Sequence, residues 1–296
     1  MSDKDQVLNN EQLPSLYQTV KENQLLTHKG HSKSLGQNFL LDPQITRKIA
    51  LVAGPLKGFD VVEIGPGPGG LTRAVLDQQP DKLFAIEKDA DCVIALQKLI
   101  TFSQGKLEVL RGDACNIKPQ SLSKNPIKII ANLPYNVGTN LLLFWLKDLC
   151  GISSLTLMFQ KEVALRITAT SGSKDYGRLS VLCQYLCDVD KVFDLPPHVF
   201  KPAPKVFSSV VHFIPKSLAD SELALIPFIE KVTAAGFGQR RKMIRASLKS
   251  LFGELNLKKT LEHLGLSETE RPENLNLENY VQLAKALQSY FPLNGL

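Results

Sequence analysis

The tetrapeptide Asn132-Leu133-Pro134-Tyr135 follows a short apolar run and sets two hydrogen-bond acceptors beside an aromatic ring. The exocyclic amine of adenine is a poor nucleophile, because its lone pair is delocalised into the ring. The Asn132 amide oxygen and the Leu133 backbone carbonyl can each accept one N–H of such an amine, drawing its nitrogen toward tetrahedral geometry. Pro134 steers the residue before it away from the helical region and so fixes the direction of the Leu133 carbonyl. Tyr135 offers a face on which a flipped base can stack. In isolation the same four residues also describe a strand-ending proline turn with a partly buried tyrosine, so their surroundings decide between the two.

Upstream, Asp60-Val61-Val62-Glu63-Ile64 runs into Gly65-Pro66-Gly67-Pro68-Gly69-Gly70 and a helix from Leu71, an arrangement that lets backbone approach a ligand closely. Gly65, Gly67 and Gly70 fit the dinucleotide pattern G-x-G-x-x-G, so a nicotinamide dehydrogenase is the rival reading. Two observations oppose it. Pro66 and Pro68 remove two N–H groups from a loop that would have to donate to pyrophosphate, whereas S-adenosylmethionine carries no phosphate. Glu87, Asp113 and Asn132 also end successive strands, at the carboxyl edge where open α/β sheets bind ligands. Glu87 can accept both ribose hydroxyls of either cofactor, and Asp113 can accept from an adenine amine. A dedicated general base is not required, since a methylated amine that is still cationic loses its proton readily to water. His28, His31, His198, His212 and His263 accordingly read as structural.

These residues need a sheet to carry them. Strands are predicted over Val61–Ile64, Leu83–Ile86, Leu107–Leu110, Ile127–Ala131 and Leu155–Phe159, each nearly continuous in apolar residues, as in a sheet covered on both faces. Helix-period segments lie between them. Val189–Phe193 and Val206–Phe213 read as a hairpin closing one edge, which makes a mixed, doubly wound α/β sheet. After residue 216 the β signal stops, and helices are predicted near Glu222–Ala235, Arg241–Phe252, Leu257–Leu264 and Leu277–Ser289. Residues 1–30 are polar, with one amphipathic stretch carrying Leu13, Leu16 and Val20, and read as a loose arm with a short helix. The expected division is therefore an arm over 1–30, an α/β domain over 31–216 and a helical domain over 217–296.

Composition narrows the function classes. The 296 residues carry a formal net charge of +6, which leans toward a polyanionic partner. Cys92, Cys115, Cys150, Cys183 and Cys187 lack the paired spacings of a zinc site or a disulfide framework, so no metal is assigned and a reducing compartment is expected. No apolar run approaches the roughly 18 residues of a membrane span, and the N-terminus has no apolar signal core. Cytoplasmic localisation without membrane association follows as the expectation. From Arg241 to Leu251, Ile244, Leu248 and Leu251 form an apolar stripe, with Arg241, Lys242, Arg245 and Lys249 on the neighbouring face. Such a face could follow an RNA backbone; a solvated surface is the alternative.

Several motifs occur together and in order: Leu35-Gly36-Gln37-Asn38-Phe39-Leu40, Glu63-Ile64-Gly65-Pro66-Gly67, Glu87-Lys88-Asp89, Gly112-Asp113-Ala114, Asn132-Leu133-Pro134-Tyr135-Asn136, Gln160-Lys161-Glu162-Val163-Ala164, Tyr176-Gly177-Arg178-Leu179-Ser180, Phe200-Lys201-Pro202-Ala203-Pro204-Lys205-Val206 and Phe237-Gly238-Gln239-Arg240-Arg241-Lys242-Met243-Ile244-Arg245. On these, the chain resembles the bacterial ribosomal RNA adenine dimethyltransferases, relatives of the erythromycin-resistance methylases, over nearly its whole length beyond residue 30. The resemblance implies a Rossmann-like class I S-adenosylmethionine-dependent methyltransferase with a small all-helical C-terminal domain. It further implies that Asn38 and Leu40 join Gly65, Glu87, Asp113 and Asn132 in binding the cofactor, and that Phe200 stacks the target base opposite Tyr135; an ordinary core phenylalanine is the plainer reading of Phe200. The implied reaction dimethylates two adjacent adenosines in a hairpin loop near the 3′ end of small-subunit ribosomal RNA, within an immature small subunit and late in its assembly, by a monomeric enzyme. Alternatives are a large-subunit methylase of the resistance type, a DNA adenine methylase, or an assembly factor that acts mainly without catalysis.

Overall fold

The computed structural model describes residues 13–26 and 37–291. Nine strands are present among them: β1 (Phe39–Leu40), β2 (Asp60–Ile64), β3 (Lys82–Glu87), β4 (Leu107–Arg111), β5 (Ile127–Asn132), β6 (Ile152–Gln160), β7 (Cys187–Leu195), β8 (Phe200–Lys201) and β9 (Ser208–Pro215). Seven form one sheet in the order β4-β3-β2-β5-β6-β9-β7. The pairs β3/β4, β2/β3, β2/β5 and β5/β6 are parallel, and β9 runs antiparallel to β6. Every residue of β2 is buried, Asp60 and Glu63 included, so the strand shows no inside–outside alternation, as in a sheet covered on both faces.

The direction of winding reverses at β2, whose neighbours are β3 on one side and β5 on the other. At such a switch point the carboxyl ends of the two central strands open a crevice that no crossover covers. The helices α1 (Leu16–Glu22), α2 (Pro43–Val52), α3 (Gly70–Leu76), α4 (Ala90–Phe102) and α5 (Gly138–Trp145) accompany the parallel strands. The starts of α2 and α4 are set by short polar side chains: Asp42 accepts the Gln44 N–H at 2.8 Å and Asp89 accepts the Asp91 N–H at 3.0 Å.

The chain separates into two compact units, residues 1–164 with 190–215, and residues 165–189 with 216–296. This differs from a single cut after residue 216, because 165–189 groups with the helical tail. The second unit contains the end of α6 (Lys161–Thr168), α7 (Arg178–Leu186), α8 (Asp220–Leu223), α9 (Ile226–Gly238), α10 (Ile244–Ser247), α11 (Lys249–Phe252), α12 (Glu254–His263) and α13 (Leu277–Tyr290). Its centre is aromatic: Phe237 stacks on Tyr280 at 5.5 Å and meets Tyr176 edge-on at 5.8 Å. Those Tyr176 contacts bind 165–189 to the tail, together with the Lys216 N–H donating to the Leu186 carbonyl at 2.9 Å.

Two predicted helices are broken. Pro227, in the first turn of α9, lacks the N–H that a helix continuous with α8 would need. The Arg241–Phe252 segment becomes α10 and α11, and Arg241 and Lys242 lie in the turn before α10, where the Lys242 N–H donates to the Gln239 carbonyl at 2.8 Å. Ile244 and Leu248 are buried as the apolar stripe requires, and Arg241, Lys242, Arg245 and Lys249 are exposed. Lys249 lies 2.8 Å from Glu254 in an ion pair, so the basic face is less free of acid than the sequence suggested.

The N-terminal stretch is not a loose arm where it is described. Ser15 and Gln18 cap α1 reciprocally, and Leu13, Leu16, Val20 and Leu25 are all buried. The small β1/β8 ladder, with Phe39 opposite Lys201 and Leu40 opposite Phe200, was invisible to pattern reading because two residues carry no periodicity. It matters for the site, since the Leu40 carbonyl sits where a side chain at Gly70 would have to be. Replacing Gly70 by Ala is expected to cost about 1–3 kcal/mol by forcing that backbone apart. Gly177→Ala, with nothing near its Cβ position, should stay within roughly 0.5 kcal/mol of the parent. Urea unfolding of the two variants reads the difference.

Candidate active site

A cleft of about 320 Å³ opens at the carboxyl ends of β2, β3, β4 and β5. Asn38, Gly65, Glu87, Asp113, Asn132, Leu133, Pro134 and Tyr135 all line it, joined by Gln37, Phe39, Lys88, Cys115 and Asn136 among others. Each strand contributes at its end because a parallel sheet aims all of its C-termini the same way. The spread of these residues over almost 100 positions of sequence therefore collapses to one edge.

Glu87 is the most constrained of them. It is buried, and its two carboxylate oxygens accept backbone N–H groups from Gly67 at 3.0 Å and Asp89 at 2.8 Å. Burial raises its pKa, and these backbone donors oppose the rise. Each oxygen keeps a further lone pair for a ligand hydroxyl. Gly67 is the only residue between Pro66 and Pro68, so the N–H that remains in this part of the loop is given to the carboxylate rather than to a phosphate. Its φ of 55° and the Phe39 ring, 2.9 Å from where a Cβ would stand, leave room for glycine alone. A buried carboxylate and a loop short of N–H donors suit the ribose and the cationic sulfonium linkage of S-adenosylmethionine better than a pyrophosphate.

Asp113 accepts the Cys115 N–H at 3.0 Å through Oδ1 and the Lys88 ammonium at 2.9 Å through Oδ2. The Cys115 N–H and then Lys88 hold its carboxyl below the usual range. It stands charged at the rim. Asn132 donates its amide N–H to the Asn38 carbonyl at 2.9 Å, which commits the nitrogen end of the side chain and leaves Oδ1 as an acceptor. The Pro134 carbonyl accepts from Val137 and Gly138, both at 3.1 Å, so the turn into α5 begins one residue after Leu133. The Tyr135 hydroxyl lies 2.6 Å from Ser208 Oγ, tethering a half-buried ring at the cleft; burial raises its pKa.

Two expected site residues lie elsewhere. Phe200 is completely buried and packs in the same core cluster as Leu40 and Leu71. Its ring has no free face for a base in this structure, because the β1/β8 ladder carries it inward. Leu40 is likewise buried away from the cleft lining, and its carbonyl abuts Gly70. Leu35 and Gly36 of the same motif fall outside the described residues, as do His28 and His31. Sequence reasoning passed over Phe39 as a cleft residue, although it stands between Asn38 and Leu40. Lys88 was also missed, and its place directly after Glu87 is the signal that could have found it.

Residues 28–289 match the family model described as ribosomal RNA adenine dimethylase. The chain is 48% identical to ribosomal RNA small subunit methyltransferase A of Paracoccus denitrificans, over 93% of this chain and 96% of that protein. It is 49% identical to the protein of the same description from Agrobacterium fabrum, over 86% of this chain and 92% of that one. Among solved structures, a dimethyladenosine transferase from Plasmodium falciparum superposes with a TM-score of 0.71 at 26% identity, covering 82% of this chain and 94% of that chain.

Behind the glycine loop, Glu63 is fully buried, and its Oε2 has no hydrogen-bond partner. Burial lifts its carboxyl from the ordinary 4.5 to about 8; the Thr72 hydroxyl opposes this without a well-formed bond, and the nearby Glu87 charge adds to it. Because the folded-state pKa is the higher one, this group's stability contribution is complete below pH 4.5 and is lost as pH rises to about 8. Between those values the unfolded chain has released the proton and the folded chain has kept it. Stability should fall by up to roughly 1.4 kcal/mol per pH unit from this group. In Glu63→Gln that component vanishes, so urea midpoints measured across the window should decline less steeply than in the parent; parallel curves would assign the slope to other groups.

Proposed function

The chain belongs to the ribosomal RNA adenine dimethylase family, and on that premise we propose that it dimethylates the exocyclic amines of two adjacent adenosines in a hairpin loop near the 3′ end of small-subunit ribosomal RNA. It is an α/β enzyme of the Rossmann-like class I methyltransferase type, and its methyl donor is S-adenosylmethionine. That donor supplies an electrophilic methyl group on a sulfonium centre. The chain's own residues bind, orient and activate the rest. Glu87 holds the ribose hydroxyls, with Gly65 and Asn38 lining the same wall and Asp113 facing the adenine amine.

The observation that carries the reading is the bond from the Asn132 amide to the Asn38 carbonyl. It fixes which end of the Asn132 side chain is presented to substrate, so that Oδ1 accepts one amine N–H while the Leu133 carbonyl accepts the other. The nitrogen lone pair then points away from both acceptors and is localised for in-line attack. Tyr135, tied to Ser208, supplies a stacking face. Phe200 is left out of this scheme because it is buried.

The substrate is ribosomal RNA within an immature small subunit, met late in its assembly, and the enzyme acts as a cytoplasmic monomer. An asymmetric RNA target requires no symmetric partner, and all five cysteines are free, as suits a reducing compartment. Arg241, Lys242 and Arg245 are exposed and contribute phosphate contacts, with Lys249 a weaker contributor because Glu254 pairs with it.

The direct test is transfer from labelled S-adenosylmethionine to small subunits lacking the modification, with large subunits and DNA as controls and nucleoside mass spectrometry as readout. Dimethyladenosine confined to small subunits is expected; label on large subunits or DNA, or binding without label, would overturn the reading. Asn132→Ala should lower turnover by roughly two to three orders of magnitude while cofactor affinity changes far less. Charge reversal at Arg241 and Arg245 together should weaken substrate binding and reduce its salt dependence by about one unit of log–log slope per lost phosphate contact. A binding series between low and moderate salt checks this.

A further inference from the structure

Helix α1 lies before residue 28, where the family match begins, yet it is built into the wall of the cofactor cleft. Val20 and Leu25 share a buried cluster with Phe39, Cys92 and Ala95. Leu16 Cδ2 comes within 3.0 Å of the Cβ position of Gly70, the first residue of α3, beside the Leu40 carbonyl. Thr19 Oγ1 accepts from Arg73 of α3 at 3.4 Å, and Glu22 pairs with Lys98 of α4 at 3.1 Å. The segment thus packs on α3, α4 and Phe39 of β1. Only Phe39 of this group lines the cleft, and its ring rests against Gly67, the loop residue whose N–H holds Glu87.

We propose that α1 is a positioning clamp for cofactor binding, holding the Phe39 ring against the glycine loop so that Gly67 and Glu87 keep the geometry that receives the ribose. The proposal rests on the S-adenosylmethionine reading of the cleft. It assigns to a segment outside the family match a role that acts through Phe39, without contact with ligand. The apolar residues needed are those the helix buries, whereas Tyr17, on its outer side, is 68% exposed and should be dispensable.

Two measurements on the full chain test this. In the unmodified protein, adding S-adenosylhomocysteine should slow amide hydrogen exchange across residues 16–25, because a helix that favours the bound state must in turn be favoured by the ligand. Unchanged exchange there, with ligand bound, overturns the clamp. In Leu16→Ala and Val20→Ala, the KM for S-adenosylmethionine should rise roughly five- to fiftyfold, with kcat at saturating cofactor and the KM for small subunits both within about twofold of the parent, while Val20→Ile and Tyr17→Ala behave as the parent. A cofactor KM that stays at the parental value in both alanine variants, or an equal rise in both KM values, overturns it. The unmodified protein's own binding isotherm separates the two levels: if it shows no affinity for S-adenosylhomocysteine, the cofactor reading itself fails and the clamp falls with it.

Discussion

The site turns on one hydrogen bond, from the Gly67 N–H to the buried carboxylate of Glu87. A carboxylate at the end of a covered strand is costly unless its charge is met by donors, and here the donors are backbone groups of the two turns that follow β2 and β3. Satisfying the charge therefore fixes the loops. Flanking prolines leave Gly67 no neighbour able to donate in its place, and any side chain at Gly67 would strike Phe39. The same contact thus sets loop shape, carboxylate orientation and the choice of glycine.

From there the geometry propagates along the sheet edge. Asn132 ends the strand next to β2 and reaches back to the Asn38 carbonyl, so the segment that carries Phe39 is pinned at the cleft on both sides, by an amide at one end and by a ring on the glycine loop at the other. Gly70 permits the Leu40 carbonyl to lie against the start of α3. What results is a cleft whose Glu87 wall and Asn132 wall share a single strap. At the rim Asp113 is held by Lys88 and a backbone donor, and behind the loop burial lifts the Glu63 carboxyl to about 8.

Much of this was legible in the sequence. Glu87 and Asn132 could be placed at strand ends, and Asp113 close to one, two residues past the end of β4, because short apolar runs end at polar residues and a parallel sheet brings such ends together. Their convergence did not require knowledge of the fold beyond that. The misreadings have a common origin in contacts that lack periodicity. Leu40 and Phe200 pair through a two-residue ladder that no pattern announces, and it takes both side chains into the core. The breaks at Pro227 and around Leu248 were hidden by continuous helical spacing of apolar residues, where local backbone chemistry prevailed over the pattern. Leu13, Leu16 and Val20 showed amphipathic spacing, but spacing alone does not say what a helix packs on, and so α1 read as an arm.

The measurement that tests the central claim most directly is calorimetric binding of S-adenosylhomocysteine against its 2′,3′-dideoxyribose counterpart. If the carboxylate held by Gly67 receives the ribose hydroxyls, their removal should weaken binding by roughly ten- to a hundredfold, the span of about 1.5–3 kcal/mol for hydrogen bonds to a charged group. Equal affinity for the two ligands would contradict the account, for it would mean that Glu87 serves the loop alone and that the cofactor is held by something else.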